Sequence, residues 1–156
     1  METTNNHDIV PAHLAVKAMR DNGYKNAAYA IAELIDNAVQ AGASNVELLC
    51  GDREEQANKR KSYRTRKIAV LDNGHGMSEE VLRLSLQFGN GTHLDADDQG
   101  GIGKFGMGLP SSSMSQCKRV DVWSWQNGIE SALHTHLDLD DILNKEMQSV
   151  PQPQLS

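Results

Sequence analysis

Two segments near the start of the chain repeat apolar residues at the spacing of an α-helix. The first runs from about Pro11 to Arg20, and the second, from about Lys25 to Ala41, carries a longer apolar stripe. Because positions three and four residues apart share a helix face, the stripe predicts a helix packed on a core. Gly42 follows in the position of a C-terminal cap glycine. The stripe consists of Ala27, Ile31, Leu34, Ile35, Ala38 and Val39.

Short apolar runs further along predict strands at residues 45–50, 67–71, 120–125 and 132–137. The last two flank Asn127-Gly128, a pair typical of hairpin turns. Residues 51–66 are charged and have no period, so a loop is predicted there, with its basic run exposed to solvent. Pro151 and Pro153 predict a frayed tail.

A glycine-rich stretch lies between two further predicted helices. The earlier helix begins after Ser78, an N-cap residue, and ends near Gln87, and the later one covers about Pro110 to Lys118. Seven of the 13 glycines lie between positions 89 and 108. This excess indicates backbone that must approach another group closely.

Composition limits the classes of function. A length of 156 residues fits one domain, and a net charge of −6 argues against a stand-alone nucleic-acid binder. No apolar stretch reaches the roughly 20 residues that span a bilayer, and the N-terminus does not resemble a signal peptide. We therefore expect a cytoplasmic protein that does not contact membrane, with Cys50 and Cys117 as buried, reduced thiols.

The second helix carries a polar set, Glu33, Asp36 and Asn37. Glu33 and Asn37 share a face, and the apolar stripe beside them predicts that they border a cleft. An amide oxygen is a suitable Mg²⁺ ligand, and a carboxylate can accept a proton from water. Alone, this set fits an ordinary polar helix face better than a functional site.

A second polar cluster, Asp72-Asn73-Gly74-His75-Gly76-Met77, follows a predicted strand. The Asp72 carboxylate could accept a hydrogen bond from the amino group of adenine, and Gly74 and Gly76 would let a flat base approach the backbone. A tight strand-to-helix turn is an equally good interpretation, because Asp and Gly are common turn residues.

The third segment, residues 100–109, places glycines before a predicted helix, where amide donors and the helix dipole favour anions. Lys104 could add a positive charge for phosphate, and Ile102 and Phe105 argue against a linker. No strand precedes Gly101-x-Gly103-x-x-Gly106, which excludes a dinucleotide fingerprint. Phe105 after Lys104 excludes a P-loop, and Gly106 stands where a calcium loop needs Glu.

Together the three segments resemble the motifs of the GHKL superfamily, which includes gyrase B subunits, heat-shock chaperone ATPases, sensor histidine kinases, MutL and MORC proteins. Glu33-x-x-Asp36-Asn37 resembles its N box, and Asp72-x-Gly74-x-Gly76 resembles its adenine box. The glycine-rich phosphate box is matched by Gly101-Ile102-Gly103-Lys104-Phe105-Gly106-Met107-Gly108. The resemblance covers roughly residues 15 to 137, and the Phe-Gly-x-Gly-Leu continuation is most similar to the chaperone and MORC branches.

The resemblance implies an α/β two-layer sandwich of the Bergerat type, with a mostly antiparallel mixed sheet and helices on one face. One ATP-binding domain would occupy residues 1–156, alone or as the N-terminal part of a longer protein. Glu33 would be the general base, Asn37 would coordinate Mg²⁺, and residues 88–100 would form a lid. The implied ATP contacts are Asn37, Asp72, Gly74, Gly76, Met77, Gly101, Ile102, Gly103, Lys104, Phe105, Gly106 and Gly108.

The family resemblance leaves three functions open. Glu33 is typical of the hydrolysing branches, which implies a slow Mg²⁺-dependent ATPase that switches conformation or dimerisation, as a homodimer or with a protein partner. Those branches also draw a catalytic Lys or Arg from a second domain, and we place no such residue within these 156 residues, so a non-hydrolysing ATP sensor is the alternative. A histidine-kinase-type catalytic domain is the third and is disfavoured by Glu33. Thr135 is a candidate adenine-site residue by position only, and His134 with His136 favours a solvated strand face over a metal pair.

Overall fold

The chain folds into five α-helices and five β-strands within residues 12–22, 26–88 and 108–156, which this computed structural model describes. The helices are α1 (Ala12–Asn22), α2 (Ala27–Gln40), α3 (Glu79–Ser85), α4 (Gly108–Gln116) and α5 (Leu139–Leu143). The strands are β1 (Val46–Ala57), β2 (Arg60–Asp72), β3 (Arg119–Ser124), β4 (Leu133–Asp138) and β5 (Gln154–Leu155). A short 3-10 turn, Ile129–Ser131, separates β3 from β4.

Side-chain and glycine caps fix the ends of the helices that carry the candidate site. The Asn26 side chain accepts a hydrogen bond from the Tyr29 backbone N–H at 3.2 Å where α2 begins. After α2, Gly42 has a φ of +74° and its N–H donates to the Val39 carbonyl. Ser78 caps α3 as the sequence predicts. The α2 stripe is confirmed in part, since Ala38 is buried but Val39 is exposed.

The core lies between the helices and one face of the sheet that β3, β4 and β5 form. Val120 and Val122 of β3 and Leu137 of β4 face this core, where buried Val16 of α1 and Met114 of α4 meet them. Helix α4 packs against both α1 and α2. The Arg20 guanidinium donates to the Met114 and Cys117 carbonyls at 2.7 Å each, which joins α1 to the end of α4.

The described strands pair antiparallel in two sheets, β1–β2 and β3–β4–β5. This confirms the α/β class with antiparallel pairing that the sequence predicts. Among the helices of the described residues, none has the length and apolar character that a bilayer crossing requires.

The prediction of a loop at residues 51–66 is wrong, because these residues extend β1 and β2 into a long hairpin. Asn58 and Lys59 both have positive φ, the geometry of a tight hairpin turn. Ion pairs across the strands join Lys61 to Glu54 at 2.9 Å, and Arg64 and Arg66 to Glu55. Both faces carry polar side chains, so the alternation that marks a half-buried strand is missing. The basic run, which consists of Lys59, Arg60, Lys61, Arg64, Arg66 and Lys67, is exposed, as expected.

The expectation that both cysteines are buried is also wrong. Cys50 is exposed in the hairpin, whereas Cys117 is partly buried beside the core. Both are free thiols. Burial raises the pKa of the Cys117 thiol and so keeps it protonated.

The tail is ordered, contrary to the fraying that its prolines predict. Strand β5 pairs with β4, and Pro153 is buried. The buried Thr135 hydroxyl donates to the Pro151 carbonyl at 2.9 Å. Proline is compatible with an edge segment because such a segment needs few backbone donors.

Candidate functional site

Helix α2 supplies the acidic and amide side chains of the predicted N box. Glu33, Asp36 and Asn37 are all partly buried, as a cleft wall requires. None of the three side chains is hydrogen-bonded to another residue that the structure describes. Partly buried polar atoms normally have partners, so these side chains are suited to a ligand or water.

The Glu33 carboxylate lies directly against Gly108, the first residue of α4. A Cβ atom on Gly108 would overlap Oε1 of Glu33 and would lie 3.0 Å from Cδ. Glycine is therefore required if the carboxylate is to hold this position. The contact joins the first residue of the predicted N box to the last glycine of the predicted phosphate box, 75 residues later in the chain.

The turn after β2, residues 72–77, is called here the Asp72 turn, and its own polar side chains close it. Oδ1 of Asp72 accepts a hydrogen bond from the Gly74 N–H at 2.8 Å. Oδ1 of Asn73 accepts from the Ser44 and Asn45 N–H groups at 2.9 and 2.8 Å, which ties the turn to the loop after α2. Asp72 is exposed, and no other described residue forms a hydrogen bond with its carboxylate, which leaves Oδ2 facing solvent or a ligand.

Two glycines let this turn fit between α2 and β3. A Cβ atom on Gly74 would lie 2.8 Å from the Ala41 carbonyl oxygen, and the next residue, His75, donates its N–H to the same oxygen at 3.0 Å. Gly76 has a φ of +70°, and a Cβ atom there would overlap the Trp125 carbonyl. The turn is thus held at the end of α2 on one side and the end of β3 on the other.

Ser124 also belongs to this arrangement, although none of the three sequence motifs includes it. Its buried hydroxyl accepts a hydrogen bond from the Met77 N–H at 2.8 Å, which fixes the exit of the turn. Ser124 lies on the inward face of β3, in register with the core positions Val120 and Val122. A serine at an inward position of an alternating strand was the available signal, because a buried hydroxyl needs a partner.

Helix α2 therefore connects the two ends of one candidate site. At about 1.5 Å per residue, Asn37 lies about 6 Å and Glu33 about 12 Å along the helix from Ala41, which contacts the Asp72 turn. Glu33 lies at the start of α4. The remaining predicted phosphate-box residues, from Gly101 to Met107 and including Ile102, Gly103, Lys104, Phe105 and Gly106, lie outside the described residues, as does most of the predicted lid.

The residues present fit a bound adenine nucleotide with Mg²⁺. The turn offers a carboxylate oxygen beside backbone that lacks side chains at Gly74 and Gly76. Helix α2 offers a carboxylate and an amide that have no hydrogen-bond partner among the described residues. Amide and carboxylate oxygens are the donor types that Mg²⁺ takes from proteins.

A second group of ionisable side chains lies on the other face of β3 and β4. Arg119 forms two-pronged hydrogen bonds with Asp121, and Nε2 of His134 lies 2.9 Å from Oδ1 of the same carboxylate. The Arg119 hydrogen bonds, followed by the one from His134, hold the pKa of Asp121 below its ordinary value despite partial burial. Asp121 is therefore a carboxylate at neutral pH.

These features fit an ATP-binding domain, and comparison with known families gives the class of this chain. The pattern of the family described as histidine kinase-, DNA gyrase B- and HSP90-like ATPases matches residues 24–156. The chain belongs to this family, which is the GHKL class that the three motifs indicate. Membership in it supports ATP binding.

The similar curated proteins are DNA mismatch repair proteins MutL. The MutL of Prosthecochloris aestuarii is 28% identical over 130 residues, which cover 81% of this chain and 19% of that protein. The MutL of Thermosipho africanus is 34% identical over 103 residues, covering 65% of this chain and 16% of that protein. The chain thus spans about a fifth or less of the length of these relatives. MutL is one of the branches that the superfamily resemblance includes.

Proposed function

We propose that this chain is a single Mg²⁺-dependent ATPase domain whose nucleotide state controls dimerisation or the binding of a protein partner. The observation that carries the proposal is the contact between Glu33 and Gly108. This contact places Glu33, the proposed general base, against the start of α4, while the other end of α2 contacts the turn that contains Asp72. An ATPase needs adenine recognition and water activation at opposite ends of one site.

Asp72 would recognise the adenine. Its Oδ1 is occupied by the Gly74 N–H, so Oδ2 is the atom that would accept a hydrogen bond from the adenine amino group. Guanine presents an oxygen at the equivalent position and would be repelled by the carboxylate. Gly74, Gly76 and Met77 would lie against the base.

Asn37 and Glu33 would act at the phosphate end. ATP brings the phosphoanhydride that is cleaved, and Mg²⁺ offsets the charge of its phosphates. The Asn37 amide oxygen would be a ligand of the metal, and Glu33 would orient a water molecule and accept its proton. Lys104 and the glycines at positions 101, 103, 106 and 108 would bind the phosphates, with residues 88–100 as a lid.

The recognition of adenine is tested with Asp72→Asn. The amide oxygen of the new side chain would still accept from the Gly74 N–H, which would place the amide N–H₂ where Oδ2 now stands. A donor would then face the adenine amino group. Since a hydrogen bond to a charged group contributes about 1.5–3 kcal/mol, we expect ATP affinity to fall about 10- to 100-fold in calorimetry with Mg²⁺.

The control for this variant is Asp52→Asn on the exposed hairpin, where the Asp52 carboxylate accepts only from the Thr65 hydroxyl among described residues. It should bind ATP like the unaltered chain, and EDTA should weaken binding in both. GTP should not compete. Equal ATP affinity for Asp72→Asn and Asp52→Asn would contradict the assigned role of Asp72.

Gly108→Ala tests whether the Glu33 position matters for hydrolysis. The added methyl group overlaps a flexible carboxylate and not backbone, so Glu33 is expected to rotate away with little loss of stability. Because proton transfer needs a base within hydrogen-bond reach, we expect turnover to fall at least about tenfold, with ATP affinity changing much less.

Gly51→Ala is the matched control, because its added Cβ would meet its nearest neighbour at an ordinary 3.4 Å. The double variant Glu33→Gln/Gly108→Ala should be no slower than Glu33→Gln alone if Gly108 acts through Glu33. Additive losses in the double variant, or normal turnover in Gly108→Ala, would contradict this coupling.

The proposed switch is supported by the family, whose description names ATPases, and by the similarity to the MutL proteins. Sedimentation velocity of the full chain with a non-hydrolysable ATP analogue tests the dimer form of the switch. A larger species that appears with the analogue and not with ADP supports it, and an unchanged monomer with either nucleotide leaves only the partner-binding form.

A further inference from the structure

The antiparallel register of β3 and β4 brings Asp121, His134 and His136 together on one face of the sheet. All three are residue types that commonly bind metals. Asp121 lies directly opposite His136, and Trp123 lies opposite His134. Their neighbours Val120, Val122 and Leu137 face the core, so this group lies on the face that points away from α1 and α4. None of these residues belongs to the candidate nucleotide site.

The three side chains are close and restrained. Ligand atoms of Asp121, His134 and His136 all lie within 4.8 Å of one another. The two imidazole rings are stacked with an angle of 11° and centroids 5.8 Å apart. Trp123 stacks on His134 at 4.6 Å, and its indole N–H donates to the Ser156 hydroxyl, which holds that side of the cluster in place.

Two imidazole nitrogens and one carboxylate oxygen are a donor set for Zn²⁺ and its neighbours in the first transition series. With bond lengths of about 2.0–2.1 Å, tetrahedral ligands lie about 3.4 Å apart, so modest side-chain rotations would close the present spacing. We propose that Asp121, His134 and His136 form a binding site for a divalent transition-metal cation, with a fourth position open to water or an external ligand. This site is independent of the proposed nucleotide site.

Arg119 acts against metal binding in this arrangement. Its guanidinium bonds both oxygens of Asp121, at 3.0 Å to Oδ2 and 2.9 Å to Oδ1. A cation at the cluster must share or replace this bond and lie close to the positive charge. Removing the guanidinium is therefore expected to increase metal affinity, an outcome that loss of a merely structural ion pair would not produce.

The experiment is a calorimetric titration of the full chain with Zn²⁺ in the absence of nucleotide, repeated with Co²⁺ and read by visible absorption. We expect one equivalent of Zn²⁺ to bind with a Kd below about 10 μM. His134→Gln and His136→Gln should each weaken binding at least about tenfold. Arg119→Gln should tighten it about two- to fivefold, the equivalent of an exposed ion pair. His13→Gln on α1 is the matched control.

His136→Gln separates loss of metal binding from loss of folding, because His136 takes no part in the Trp123 stack that His134 joins. Tetrahedral Co²⁺ absorption that disappears in both variants, with far-ultraviolet circular dichroism unchanged, would support the site. Binding only at millimolar metal, or equal affinity in both histidine variants and in His13→Gln, would overturn it. Weaker binding in Arg119→Gln would overturn the assigned ligand role of Asp121.

Discussion

Gly76→Ala is expected to remove about 2–5 kcal/mol from the free energy of unfolding and to weaken ATP binding even where the chain stays folded. Gly76 has a φ of +70°, where an L residue costs about 1–2 kcal/mol. The new methyl group would also overlap the Trp125 carbonyl, and forced overlap in packed structure costs about 1–3 kcal/mol. Backbone cannot rotate away as a side chain can, so the turn itself must move.

Gly42→Ala separates the two costs. Gly42 also has a positive φ, +74°, but a Cβ atom there would meet nothing within 4 Å. The free energy of unfolding of Gly42→Ala should therefore fall by the conformational cost alone, about 1–2 kcal/mol. Urea unfolding followed by far-ultraviolet circular dichroism measures both midpoints, and the slopes should agree if only stability changes. Equal losses in the two variants would show that the Trp125 contact carries no weight.

Glu33→Gln is expected to lower ATP turnover at least about 100-fold while ATP affinity stays within a few-fold of the unaltered chain. A positioned general base contributes about 10²–10⁴ to a rate, and glutamine keeps the size of the side chain but cannot accept the proton. The Glu33 side chain forms no hydrogen bond with another described residue, so the substitution should cost little stability.

Phosphate release under saturating Mg²⁺-ATP measures this effect, with Glu47→Gln as the control. Glu47 is exposed on β1 and bonds the Asn45 side chain, so its substitution should leave turnover unchanged. Normal turnover in Glu33→Gln would move the base to another residue. If the unaltered chain binds ATP without turnover, the domain is an ATP sensor and not an enzyme by itself.

The sequence predicts the two halves of the site separately. Helical spacing places Glu33 and Asn37 on one face, and the strand end before Asp72 predicts an accessible carboxylate. What spacing does not give is the contact between Glu33 and Gly108, because the intervening chain fixes no distance between them. That contact depends on how α4 packs against α2.

Three predictions from the sequence are wrong because a local pattern does not show which residues pair or become covered. The hairpin residues between 51 and 66 lack an apolar face, so their pairing depends on backbone hydrogen bonds and cross-strand charges and leaves no period. Cys50 belongs to an apolar run but is exposed, since a pattern does not state which part of a strand is covered. The tail pairs with β4 through contacts made by residues far apart in sequence.

The cluster of Asp121, His134 and His136 likewise depends partly on local sequence and partly on tertiary structure. The spacing of His134 and His136 predicts a shared face, which the stacked rings confirm. The place of Asp121 beside them follows from the register of β3 against β4, and a shift of one residue would turn it toward the core.

By itself, the sequence determined the family, the approximate bounds of α1 to α4 and the chemical types at the candidate nucleotide site, because these depend on local spacing and capping. Only the tertiary structure decided which of those side chains meet. It placed Glu33 against Gly108 and held the Asp72 turn between Ala41 and Trp125. It also paired the charged parts of β1 and β2 with each other. Contacts of this kind are fixed by packing and strand register between distant segments, and no short sequence window contains that information.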